Sequence, residues 1–349
     1  MELAERAAHG VQGPDERAWV EEALADYDNV RAAFVQHCAD RDWDLAVRLV
    51  AAVPELVHLR IGYEASGWAE RVLADADPHH PRYVAAVGAA SRGRGTAVSS
   101  PWPRAWRAGR TAGCRPRAAR ASRTRGRARR RRALRGDVDR ALRHYAAAAE
   151  RARADGERIR LVWTLYYVAV CQAVRREPQK GVAAAQECLD VAEETANPTA
   201  RSMARYALGL VLKKSEPERA LTFLDEAAEL AASVRNFWWH GIAMMEAAAT
   251  RAVHGDPVAA ARAFLTVLDH WDKVGDATQQ WLNLRYVARL LNRVDAGFDA
   301  ASLHAFLVAA GKPSPLGPER TPEAGPRPGS VVSTAAAVAH ARAALRRVA

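Results

Sequence analysis

Between Asp137 and Val294 apolar residues recur every three to four positions, a spacing that predicts amphipathic helices. Short polar starts punctuate the pattern and repeat. DVDRAL from Asp137, EPQKGV from Glu177, EPERAL from Glu216 and DPVAAA from Asp256 align without gaps, at intervals of 40, 39 and 40 residues. Each opens on a carboxylate, which suits the positive end of a helix dipole, and three follow it with proline, which costs no hydrogen bond at the first helical position. Four residues in stands a small side chain, Ala141, Gly181, Ala220 or Ala260, that lets another helix approach closely. Tyr145, Leu224 and Phe264, then Leu189 and Leu268, continue the apolar stripe. Behind each start comes a second periodic run: IRLVWTLYYVAVCQAV, ARSMARYALGLVL, WWHGIAMMEAAATRAV and TQQWLNLRYVARLL. Each unit is therefore expected to be a helical hairpin.

Within this array ARYALGLVLKKSEPERALTFLDEAAELA, residues 204–231, resembles the tetratricopeptide repeat. Leu208 and Gly209 occupy the contact of its first helix, and Ala220, Leu224 and Ala227 lie on the second, with one residue fewer between the helices than the standard motif has. Ala169 and Ala248 hold the small position of Gly209. The period exceeds the usual ~34 residues, which implies longer helices or loops. The resemblance covers residues 136–294 and implies an all-α fold, a right-handed α-solenoid of tetratricopeptide-like helical hairpins, whose concave face binds a protein or a small-molecule ligand. It speaks to binding, not to chemistry.

Ahead of the array, the periodicity of residues 15–74 predicts helices around 15–39, 43–60 and 62–74, separated by the polar turn ADRDWD and by Gly62. Here DYDNVRAAF, with Asp28, Asn29 and Arg31, is similar to the segment that follows the ATPase module in actinobacterial regulators of the signal-transduction ATPase class, whose members end in LuxR-type DNA-binding domains or begin with a cyclase-like domain. DWDLAVRLVAAV and GYEASGWAERVLA resemble the helices that follow in that family, and HAFLVAAGKPSPLGPER before an alanine-rich closing helix is compatible with how several members end. The family's phosphate-binding G-x-x-x-x-G-K-[ST] string does not occur in the chain, and RGRGTAVSS supplies glycines without the lysine that would cradle a phosphate. No LuxR-type helix-turn-helix follows the array. The resemblance thus implies a helical sensor arm, a cytoplasmic fragment whose ATPase and effector module lies upstream. A free-standing adaptor that binds a protein partner is the alternative. Neither reading calls for a cofactor or an enzymatic activity.

The chain carries +11 at neutral pH, which invites a nucleic-acid partner only if the charge covers a folded face. It does not: sixteen arginines lie between Arg92 and Arg135, with no lysine and no acidic residue, and removing them from +11 leaves −5. A nucleic-acid arm, a linker and a misread segment all fit such a block. Leucine, isoleucine, lysine and acidic residues vanish together from Arg92 to Arg132, as they do when a GC-rich gene is translated out of frame, and the block interrupts a repeat array where one unit is due. We therefore expect an unstructured segment, and nucleic-acid binding is not expected through this chain alone. The domain reading is 1–91, N-terminal hairpins; 92–135, the arginine block; 136–311, repeats; 312–330, a Pro/Gly linker; and 331–349, a terminal helix.

Candidate chemistry is sparse. Cys38, Cys114, Cys171 and Cys188 have neither C-x-x-C spacing nor a histidine partner at zinc-ligand spacing. Asp75, Asp77, His79 and His80 could be drawn as a metal cluster, but DADPHHP reads as a proline-bounded turn. No stretch approaches the ~18 apolar residues of a membrane span, so no membrane partner is expected. The remaining feature is aromatic: Phe237, Trp238, Trp239 and His240, with Trp271, Trp281 and Tyr286 in the next unit. Packing between hairpins is the plainer reading. Because consecutive helical residues point about 100° apart, Trp238 and Trp239 cannot both face one neighbour. One of them is free to line an interaction groove, for which Trp238, Trp239, Trp281 and Tyr286 are the candidates.

Overall fold

The computed structural model describes residues 2–53, 60, 64–96, 123–312 and 333–349, and side chains within these except at 91–96 and 123–136. Helices connected by turns make up the described residues, among which no strand occurs. The N-terminal unit contains α1 (Glu2–Gly10), α2 (Glu16–Ala25), α3 (Tyr27–Ala39), α4 (Trp43–Ala52), α5 (Glu64–Leu73) and α6 (Tyr83–Thr96). The array contains α7 (Arg123–Ala154), α8 (Arg158–Arg175), α9 (Pro178–Thr195), α10 (Pro198–Leu212), α11 (Pro217–Ser233), α12 (Phe237–His254), α13 (Pro257–Val274), α14 (Ala277–Arg293) and α15 (Gly297–Ala309). A last helix, α16 (Thr334–Val348), packs across α13, α14 and α15.

Each helix of the array packs on the next, and α8, α10, α12 and α14 also meet their equivalents in the neighbouring hairpin. The start chemistry is as the repeat implies: Pro178, Pro198, Pro217 and Pro257 open their helices. Asn197, Asn236 and Asp276 cap α10, α12 and α14 by accepting backbone amides of the first turn, a bond worth about 1 kcal/mol. The residue just before each leading helix's cap, Gly156, Ala196, Arg235 and Gly275, has a left-handed backbone (φ 69°, 52°, 55° and 74°). The same turn is thus rebuilt in each unit, twice without glycine.

Small residues hold the hairpins together. A Cβ on Gly209 would lie 2.5 Å from Leu224 and 3.1 Å from the Ala220 carbonyl, so α10 and α11 touch through a missing side chain. Ala141, Ala220 and Ala260 are buried at the equivalent seams.

The N-terminal unit differs from the expected pattern. The helix expected over 15–39 breaks at Asp26 (φ −99°, ψ 8°), and the break turns Tyr27 into the unit's core, parallel to Trp68 at 6.0 Å. Phe34 also stacks on that indole, at 4.5 Å. A helix not foreseen, α1, buries Ala4 and Ala7 and packs on α2 and α4. Of the helix expected over 43–60, Trp43–Ala52 is helical and residues 54–59 lie outside the described set.

The expectation of an unstructured 92–135 falls mainly on residues 97–122, outside the described set; helix extends into both margins, to Thr96 and from Arg123. Most of the expected linker, 313–332, lies outside it too. The two units keep separate apolar cores, one built on Val20, Phe34, Leu49 and Trp68 and the other on Met203, Leu224, Trp239 and Leu284.

Candidate functional site

The leading helices α8, α10, α12 and α14 stand side by side, so residues in the same register of successive units fall into rows. The aromatic row converges. Trp239 on α12 lies 5.6 Å from Tyr206 on α10, and also 5.2 Å from Tyr166 and 5.9 Å from Trp163 on α8, one hairpin further back. Rings from three helices meet at one point only if the three turn these faces toward it. This corrects the groove reading at two positions. Trp239 is 0 % exposed and fills the junction, and Trp281, at 7 %, is also core. Trp238, edge-on to Trp239 at 5.3 Å, is half-buried and retains access to solvent.

Next to the rings lies a polar centre that the periodicity did not single out. Glu246 on α12 is 3 % exposed, within the apolar run AMMEAAAT. Lys213, the C-cap of α10, forms an ion pair with it, and the hydroxyl of Tyr286 on α14 donates to its other oxygen at 3.2 Å. Of the four groove candidates, Tyr286 is thus the one bound to a charged group. The Glu246 carboxylate beside it, together with burial, raises the phenol's pKa. Tyr166 is raised by burial first, then by Tyr167 and Glu246, and Tyr206 by burial and then Glu246, so all three stay protonated. The signal for this centre was in the sequence: one carboxylate inside an otherwise apolar helix run has to be paired.

On α14 the tyrosine is flanked by Arg285 and Arg289. The Arg289 guanidinium lies 5.6 Å from the Tyr286 ring centre, and Arg285 is held below the usual guanidinium range by burial and by Arg289. At the start of α12, His240 stacks on His270 of α13 at 5.1 Å. His270 hydrogen-bonds the Phe237 carbonyl at 2.8 Å, and burial with the neighbouring ring pushes His240 down to about 4.

The motif residues of the N-terminal unit form a clamp. Arg31 donates to both oxygens of Glu64 on α5, at 2.9 and 3.2 Å, and to Asp28 at 2.5 Å, and it lies 5.0 Å from the Tyr27 ring centre. Tyr27 donates to Glu64 at 2.8 Å, and the Arg31 hydrogen bonds hold Glu64 below its ordinary value. Asn29 donates to Asp26 at the helix break, 2.5 Å away. The motif thus ties α3 to α5 rather than presenting a binding group.

The His80 ring meets Asp44 on α4 at 3.0 Å. Among the described residues no group of three or more histidine, cysteine, aspartate or glutamate side chains could hold a metal ion. Cys38, Cys171 and Cys188 are buried free thiols; burial raises all three, Cys171 to about 11, which suits packing better than nucleophilic chemistry.

The chain matches no family model, and no curated protein matches it either.

Proposed function

We propose that the chain is the helical sensor and interaction region of a signal-transduction ATPase-type transcriptional regulator, working as a right-handed solenoid that binds a protein or small-molecule ligand on its concave, leading-helix face. The observation that carries the reading is the shared face itself. Trp163, Trp238 and Tyr286, from three hairpins, are only partly buried and border one junction whose interior holds Tyr166, Tyr206 and Glu246. Half-buried Trp238 is the anchor, since an indole that partly emerges from a packed junction offers large area at little entropic cost. Tyr286 and Arg289 supply the polar side of the contact. The resemblance of DYDNVRAAF to the post-ATPase segment supports the regulator context.

Sequencing the locus with about two kilobases upstream, then expressing what lies there, tests this. The expected result is an upstream reading frame with an ATPase module that binds this chain and hydrolyses ATP more slowly when it is bound. Trp238→Ala should weaken the chain's response to its ligand without unfolding it. The absence of such a frame, together with a protein partner captured by the intact chain, overturns the regulator reading in favour of the adaptor. The same sequencing decides whether residues 92–132 are read in frame.

A further inference from the structure

The N-terminal unit sits against the starts of the leading helices, and the hydrogen bonds across that seam are specific. Asn197 uses its side-chain oxygen to cap α10 and its amide nitrogen to donate to the carbonyls of Val11 and Gly13, each at 2.9 Å. Thr199 donates its backbone N–H to Glu16 at 2.8 Å and its hydroxyl to the same carboxylate at 2.5 Å. Asn236, which caps α12, donates to that hydroxyl at 3.0 Å. Arg60 completes the set, donating to Glu16 at 2.5 Å and to the Val234 carbonyl at 3.2 Å. Array residues thus take two free backbone carbonyls and, a few residues on, a carboxylate in the first turn of a helix, α2.

Three observations distinguish this seam from ordinary interior packing. The two apolar cores do not run into one another across it. It is incompletely filled: a cavity of about 30 Å³ lies between Val11 and Gln12 on one side and Ile159 and Trp163 on the other. Beside it an open cleft of about 690 Å³ separates His9 and Trp19 from Arg158 and Thr195. Finally, its centre is a buried ion pair, with both side chains within 2 % of complete burial, and desolvation raises the Glu16 carboxyl in spite of Arg60. Such pairs fix geometry more than they add stability, and polar interfaces of this kind between units of one chain permit relative motion.

We propose that the leading edge formed by Asn197, Thr199 and Asn236 is a recognition surface for a helix start bearing a carboxylate in its first turn, and that the α1–α2 turn occupies it in cis until a partner segment of the same chemistry displaces it. Displacement uncovers Ile159 and Trp163, the latter continuous with the aromatic junction. The inference goes beyond the sensor reading and rests on contacts within the chain, so it stands or falls separately from any upstream ATPase.

The test uses the full chain and, as probe, an acetylated peptide of its residues 9–25. The variant Glu16→Ala removes the cis carboxylate and leaves Arg60, Thr199 and Asn236 in place to receive another. Its helical circular dichroism should be unchanged, while amide exchange at Thr199 should quicken by about tenfold or more as the seam opens. The peptide should bind this variant about tenfold more tightly than it binds the wild type, where the site is filled, and a Glu16→Gln peptide should bind neither. Should that variant lose helicity, Thr199→Val, which removes a single hydroxyl, carries the same exchange measurement. Unchanged exchange in a folded variant, or equal peptide binding to closed and opened chains, overturns the proposal.

Discussion

Lys213, at the C-cap of α10, reaches across to pair with Glu246 on α12, a carboxylate that is 3 % exposed and would otherwise rest on apolar side chains and one tyrosine. The pair is therefore asymmetric: the lysine is partly in water and the glutamate is not. Lys213→Met should destabilise the chain by about 2 kcal/mol, because it leaves a buried charge uncompensated, whereas Lys213→Met combined with Glu246→Gln should recover most of that loss. Urea unfolding of the two variants checks this, and equal midpoints would show that the carboxylate is not held by the lysine.

Trp239 fills the point where α8, α10 and α12 converge. Trp239→Ala should cost about 3–5 kcal/mol, as large-to-small changes at closed sites do. Trp238→Ala, on the same turn but half-buried, should cost less than about half as much. Thermal midpoints that fall equally in both variants would contradict the division of the pair into core and surface.

The two non-glycine turns before α10 and α12 carry a backbone conformation that L-residues adopt at a cost of roughly 1–2 kcal/mol. Arg235→Gly should accordingly raise stability by about 0.5–1 kcal/mol after the added freedom of the unfolded chain is counted, and Gly275→Ala should lower it by about 1 kcal/mol. A drop in melting temperature for Arg235→Gly would mean that the arginine side chain contributes more than the turn strains.

Acid should weaken the fold through His240. Its folded value, about 4, lies below the ordinary 6.5, so the unfolded chain takes up the proton first. The stabilisation is complete above pH 6.5 and is lost as the pH falls from there toward 4, amounting to about 1–2 kcal/mol once partial exposure is allowed for. His240→Phe should flatten this part of the pH–stability curve. A variant that loses stability in parallel with the wild type between pH 6.5 and 4 would place the titration elsewhere.

Much of the array could be read from the chain because its contacts are made by residues whose smallness is itself the message. Gly209 facing Leu224, and Ala141, Ala220 and Ala260 at the equivalent seams, are the repeat's signature and its packing at once. The expected groove was less legible: periodicity shows that Trp238 and Trp239 diverge, but which of them turns inward is set by rings on α8 and α10, distant in sequence. Glu246 was not singled out although it lies in an apolar run, and its partners were not legible, since Lys213 and Tyr286 are 33 and 40 residues away. The break at Asp26 left no local trace, because it is imposed by Tyr27 reaching Trp68 and Glu64. The seam was invisible for the same reason, with Arg60 bonding a carbonyl 174 residues distant.

An array whose units touch only their immediate neighbours melts like a zipper, each hairpin detaching in turn from an end. The rings of Trp163 and Tyr166 on Trp239 add a tie that skips one unit, fastening the first leading helix directly to the third. Fraying from the α8 end should therefore open the stretch from α8 to α12 as a block rather than one hairpin at a time, so the aromatic junction couples three helices in a single step.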